Sequence, residues 1–223
     1  MLLPVSDRKV IPIAEATERR RQKRVSDSLS DLAESTEALA GEPEAHGYFT
    51  LLGNLAFLER VYADAIAAYS RALSLAPDDV HALKGRGRSY AALRELDLAL
   101  ADVDAALALA PGDALLHYYR GHCLSQLKTA RWERGVDESE TEQEQHARCA
   151  AAIGSLERAL ALGMSHPDVY WELVRASEGL GDRDASLAML DRAVAALPDD
   201  ALLLDIQKNW REHRERRLGD TGK

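Results

Sequence analysis

The sequence predicts an all-α protein built as an array of paired helices, and three observations carry that prediction. The stretch Gly53 to Pro77, GNLAFLERVYADAIAAYSRALSLAP, returns as Gly87 to Pro111, GRSYAALRELDLALADVDAALALAP, with Gly53 over Gly87, Ala65 over Ala99, Ala72 over Ala106 and Pro77 over Pro111. The offset is the same in all four pairs. A fixed period of about 34 residues with small residues at set places marks a helical repeat whose units bury their apolar faces on their neighbours. The composition agrees: hydrophobic residues make up 46% of the 223, mostly Ala and Leu, and aromatics only 5%, which favours helix over sheet. Within each period, apolar residues fall at helical spacing and are punctuated by Gly, Pro and Asp.

Taken in order, residues 1–26 read as a flexible basic arm. They carry Pro4, Pro12 and the cluster Arg19, Arg20, Arg21, Lys23 and Arg24, with little to bury. A small apolar patch, Val10 to Ala14, is a candidate docking peptide within it. Residues 27–42 predict an N-terminal capping helix with Leu29, Leu32 and Leu39 on one face and Gly41 as terminator. Pro43 precedes Pro77 by one period, so this helix is in register with the second helix of a repeat whose first helix is absent or degenerate.

Repeat 1 spans 46–79, with Phe49, Leu52, Gly53 and Ala56 in its first helix and Ala65, Tyr69, Ala72 and Leu73 in its second; Pro77-Asp78-Asp79 ends it and offers a cap to the next helix. Repeat 2, 80–113, places Leu83, Gly87, Tyr90, Ala99, Val103, Ala106 and Pro111 at the matching positions. Repeat 3, 114–166, starts with Leu116, Arg120, Gly121 and Leu124, but its second helix is recognisable only from Ala152, Leu156, Ala159 and Leu160. An acidic insertion of about 19 residues near 128–147 accounts for the delay, since the period would bring the role of Ala152 to position 133. It predicts two lengthened helices joined by an acidic turn, protruding as a hairpin with Trp132 as an exposed anchor. Repeat 4, 167–200, keeps Tyr170, Leu173, Leu190, Ala193 and Pro198 but has Val174 where repeats 1 and 2 have Gly and Ser186 where they have Ala. A C-terminal capping helix, 201–218, begins apolar and ends as WREHRERR, and 219–223 form a disordered tail.

These placements resemble the tetratricopeptide repeat, whose pattern is a large residue, Leu-Gly, Tyr, Ala, an aromatic, Ala and Pro, over nearly all of 46–200. The resemblance implies a right-handed superhelix of antiparallel helix pairs. It also implies a concave groove lined by positions two, five, nine and twelve of each first helix. Those positions give Thr50 and Asn54, then His81, Lys84 and Arg88, then Tyr118, His122 and Ser125, then Trp171 and Arg175. A groove with that lining is basic and aromatic in a chain whose formal net charge is -9. It suits an acidic or C-terminal peptide segment of a partner protein. The chaperone-tail carboxylate clamp of some family members is not reproduced, because Thr50 replaces its first Lys, Gly85 stands where its second Asn belongs, and Leu115 and Tyr119 replace its last pair.

The remaining classes are argued against by what the chain lacks. There is no phosphate loop, HExxH or nucleophile elbow, so no enzyme activity and no cofactor is expected. His117, His122 and Cys123 share one helix, with His146 or Cys149 as the nearest further donors, which is too few convergent ligands to predict a metal. The two cysteines have no CxxC spacing, and no apolar run is long enough to span a bilayer, so the expected setting is a reduced, cytoplasmic one. The alternative function is a nucleic-acid-associated regulator that contacts phosphates through Arg19 to Arg24; the acidic net charge weighs against it.

Overall fold

The structure is a computed structural model. It describes residues 13–37, 44–133, 135, 140–181 and 183–220, without the side chains of 13–17, 35–37, 131–132, 183 and 213–220. Ten helices and no strand occur among the described residues: α1 (Ile13–Glu37), α2 (Ala45–Leu58), α3 (Tyr62–Leu75), α4 (Val80–Ala92), α5 (Leu96–Leu109), α6 (Ala114–Glu133), α7 (Glu142–Ala161), α8 (Pro167–Glu178), α9 (Arg183–Ala196) and α10 (Ala201–Asp220). The protein is all-α, as its sequence predicts. The chain divides into two compact units, Met1–Ser89 and Tyr90–Lys223.

In the first unit α2 packs on α3, and α1 packs on both. Three residues separate α2 from α3, too few for anything but an antiparallel hairpin. Arg60, in the middle, has φ 62°, and the connection closes through Arg60 N to Phe57 O and Val61 N to Ala56 O, both 3.0 Å. The turn after α4, in the second unit, repeats this: Arg94 has φ 64°, with Arg94 N to Ala91 O at 3.0 Å and Glu95 N to Tyr90 O at 2.9 Å. The period therefore reaches down to single hydrogen bonds.

Aspartate closes repeats 1, 2 and 4, while His166 caps the helix after repeat 3. Asp79 Oδ1 accepts from His81 N (2.9 Å) and Ala82 N (3.1 Å), Asp113 Oδ1 from Leu115 N and Leu116 N, and Asp200 Oδ1 from Leu202 N and Leu203 N. Each satisfies donors that a helix start leaves open and sets a negative charge at the positive end of the helix dipole.

The N-terminal region departs from its sequence reading in two ways. The helix expected from Asp27 already begins at Ile13, so Arg19 to Arg24 belong to α1. Arg21 ties that helix to the end of α2 through Glu59 at 2.7 Å. Leu29 is buried, but Leu32, expected on the same face, is 46% exposed; three residues advance a helix by about 300°, enough to carry it off a narrow contact. Leu39 and the patch Val10 to Pro12 lie outside the described residues.

In the second unit neighbouring helices pack in sequence from α5 to α10, and α6 also touches α8. Helices α6 and α7 are each 20 residues long, against 14 for α5 and α9, so the insertion lengthens both members of the pair. The added turns are packed: Ala130 is wholly buried with Leu96, Ala99, Cys123 and Leu127. Arg148 bridges Glu140 at 2.7 Å and the Leu124 carbonyl at 2.6 Å. The start of α7 is fixed by a capping box, Thr141 Oγ1 accepting from Glu144 N (3.2 Å) and the Glu144 carboxylate from Thr141 N (2.9 Å). Trp132 lies in α6, but its side chain is outside the described residues, as is most of the connecting turn. Helix α10 runs to Asp220, two residues past the predicted cap, and 221–223 are outside the described residues.

Candidate functional site

The ten predicted groove residues fall in two sets of five, one in each unit. In the first unit an open cleft of about 780 Å³ lies between α2 and α4, lined among others by Thr50, Asn54, His81, Lys84 and Arg88. All five predicted residues of this unit border it. Its basic wall is α4, where positions 81, 84 and 88 share a face because they are three and four residues apart.

What holds the walls together is Tyr69 of α3, a ring only 1% exposed. It lies against two glycines: a Cβ at Gly53 would come within 2.6 Å of the ring, and one at Gly85 within 2.3 Å. The absent side chains of α2 and α4 are the ring's seat. Its hydroxyl donates to Asn54 Oδ1 at 2.7 Å. Burial pushes the Tyr69 phenol up to about 12, against the opposing pull of Arg88, so it remains a donor near neutrality. This contact gives the departure from the carboxylate clamp at position 85 a steric reason: an asparagine there has no room beside the ring.

Asp79 makes a second anchor. Its Oδ2 accepts from His46 Nδ1 (3.1 Å) and from the Thr50 hydroxyl (2.9 Å), while Oδ1 caps α4. Burial raises its pKa, but these four donors outweigh it and hold the carboxyl below its ordinary value. Thr50 is buried and tied to this anchor. Arg88 is half-buried and stacks on the Phe57 ring, 4.4 Å from its centroid. His81 is exposed, Lys84 half-buried and Asn54 exposed. The acidic residues on the lining are Glu44 and Asp79, and both oxygens of Asp79 are engaged as above.

In the second unit three of the five predicted residues, His122, Ser125 and Arg175, gather around a carboxylate that the sequence did not single out. Glu172 of α8 is buried, 6% exposed. Its Oε1 accepts from His122 Nδ1 (3.0 Å) and Gln126 Nε2 (2.9 Å), its Oε2 from the Ser125 hydroxyl, and Arg175 Nε stands 3.8 Å away. Burial raises the Glu172 pKa, but His122, Ser125 and Arg175 together bring it below the usual glutamate value. Arg94 extends the network, donating to Gln126 and meeting Glu133 at 3.2 Å. The serine hydroxyl donates to the carboxylate and not to an imidazole, so this trio is not arranged as a nucleophile and base. Tyr118 and Trp171 pack partly buried against the core of Leu156, Val169, Leu173 and Leu190. The signal for Glu172 was present: it stands three residues after Val169 and four before Ala176, both buried apolar positions, which puts it on the inner face of the helix, and a carboxylate there calls for partners.

The cysteines and histidines do not converge. Cys123 and Cys149 are both buried and free; burial, with Glu172 and Asp104 nearby, pushes the Cys123 thiol up to about 12. His117 Nε2 binds the Pro111 carbonyl at 2.9 Å. Among the described residues no group of three or more His, Cys, Asp or Glu is placed to hold a metal ion.

A family model described as tetratricopeptide repeat matches residues 13–80, 50–114 and 141–201, well over half of the chain. The protein belongs to the tetratricopeptide-repeat family. The first match begins at Ile13, where α1 begins, and the unmatched interval 115–140 takes in α6 after its first residue and the earlier part of the insertion, where this tetratricopeptide-repeat chain departs from the period. Solved structures share the fold. A tetratricopeptide repeat protein from Parabacteroides merdae is 17% identical with a TM-score of 0.61, covering 92% of this chain and 77% of its own. A MamA protein is 19% identical with a TM-score of 0.59 over 79% and 87%. MamA from Desulfovibrio magneticus is 16% identical at 0.60 over 83% and 96%. No curated protein matches the sequence. Among the described residues no helix is long and apolar enough to cross a membrane. The tetratricopeptide-repeat fold is that of a protein-interaction scaffold.

Proposed function

We propose that the protein is a non-enzymatic cytoplasmic adaptor that captures an acidic segment of a partner protein, internal or C-terminal, in the cleft between α2 and α4. The observation that carries this reading is the single basic face of α4, where His81, Lys84 and Arg88 border an open cleft whose Asp79 is already engaged by four donors. Cations on a concave, partly desolvated wall form charge-assisted hydrogen bonds with carboxylates. Asn54 adds an amide on the facing wall; its oxygen accepts from Tyr69, and its nitrogen is a donor only. Affinity for one linear peptide is about micromolar, because the ligand loses its freedom on docking. The reading is placed on the first unit because in the second His122 and Ser125 serve Glu172. The arm as a phosphate-binding element has less support, since Arg21 is engaged by Glu59.

The test is binding of acidic peptides to Lys84→Glu with His81→Glu, two side chains that leave the ring contacts of the cleft intact. Capture should fall at least tenfold with the thermal midpoint unchanged; undiminished capture rejects the assignment. Adding Arg88→Glu gives a stronger block but removes the stacking on Phe57, so it is read only beside a stability measurement.

A further inference from the structure

Helix α2 is apolar on two faces. One holds Ala45, Phe49, Leu52 and Ala56 and is buried. The other holds Tyr48, Leu51, Leu55 and Leu58, which are 48%, 66%, 45% and 76% exposed; Tyr48 and Leu51 also border the cleft between α2 and α4, so an occupant of this face competes with a ligand in that cleft. These four are spaced three, four and three residues apart, the spacing of a coiled-coil seam, and they fall within a sector of about 80° on the helix. A helix that is apolar nearly all round belongs in an interior, yet no described element covers this second face. The exposed apolar area is on the order of 400 Å², at the scale of functional patches on monomers.

We infer that this face is the seam of a homodimer, in which α2 packs antiparallel against α2 of a second copy. The spacing reads the same in both directions, so a twofold axis beside Gly53 sets Tyr48 against Leu58 of the second copy and Leu51 against its Leu55. An isologous contact requires that self-complementarity. The ends agree in charge: the same register brings Glu44, exposed at the start of α2, toward Arg60 of the second copy, exposed just past its end. Two such stripes with their flanks bury about 1,000 Å², the lower limit for a specific interface, so the dimer is weak and forms with increasing concentration.

Sedimentation equilibrium of the full chain from about 1 to about 200 μM should show the mass rise from 24.5 kDa toward twice that value. Leu51→Glu and Leu58→Glu, at the two most exposed positions, should each hold the mass at the monomer with unchanged helicity. Register is read by cross-linking. Tyr48→Cys mixed with Leu58→Cys should join through a disulfide, while either alone should not, because like positions lie about 15 Å apart along the axis. The parent chain, with both cysteines buried, gives the background. A mass that stays monomeric at every concentration overturns the inference. So does a dimer that survives both glutamate variants, or one in which a single cysteine variant links to itself.

Discussion

Alanine in place of Gly85 tests the packing on which the cleft depends, because two opposed effects of known size meet there. In an open helical position the change stabilises by about 1 kcal/mol, the difference in helix propensity. Here the new Cβ would lie 2.3 Å from Tyr69 Cζ and 2.5 Å from Cε1, far inside ordinary carbon contact. The ring cannot step aside, since Gly53 lies against it and Asn54 holds its hydroxyl. Overpacking of that kind costs about 3 kcal/mol, the upper part of its usual range. The net is a loss of about 2 kcal/mol. Gly154 supplies the contrast: it is exposed within α7, with nothing within 4 Å of its would-be Cβ, so Gly154→Ala should gain up to about 1 kcal/mol. Denaturant unfolding of both variants against the parent reads the difference. If Gly85→Ala is as stabilising as Gly154→Ala, the Tyr69 seat is wrong and the account of the missing clamp goes with it.

Acid titration of stability should show the Glu172 network. Its folded pKa is depressed, so its contribution is complete above the unfolded glutamate value, about 4.3, and is lost as pH falls through the folded value. Thermal midpoints from pH 7 to pH 3 should drop less steeply for Glu172→Gln than for the parent, and Glu172→Ala should lose about 3 kcal/mol at pH 7 because it strands the donors of His122, Ser125 and Gln126. The two left-handed arginines separate by their contacts. Arg60→Gly should stabilise by up to about 1 kcal/mol, while Arg94→Gly should gain nothing or lose, since it gives up Gln126 and Glu133; equal shifts in chemical denaturation would refute that distinction.

The sequence by itself determined the period, the helix pairs and the place of the insertion. These follow from residues that act through their own neighbourhood: small residues at a fixed spacing and aspartates before helix starts. The resemblance to the tetratricopeptide repeat named His81, Lys84 and Arg88 as companions, and their three- and four-residue spacing on one helix agrees with a shared face. The tertiary structure alone decided which predicted groove residues are committed to a carboxylate inside the fold. Thr50, His122 and Ser125 count as groove residues by position, yet Asp79 and Glu172, distant in sequence, claim their hydrogen bonds. Gly85 is a substitution in a motif when read along the chain and the seat of a tyrosine ring when read in space. A period specifies backbone geometry locally, whereas hydrogen-bond partners and steric vacancies are settled between helices whose meeting no local pattern records.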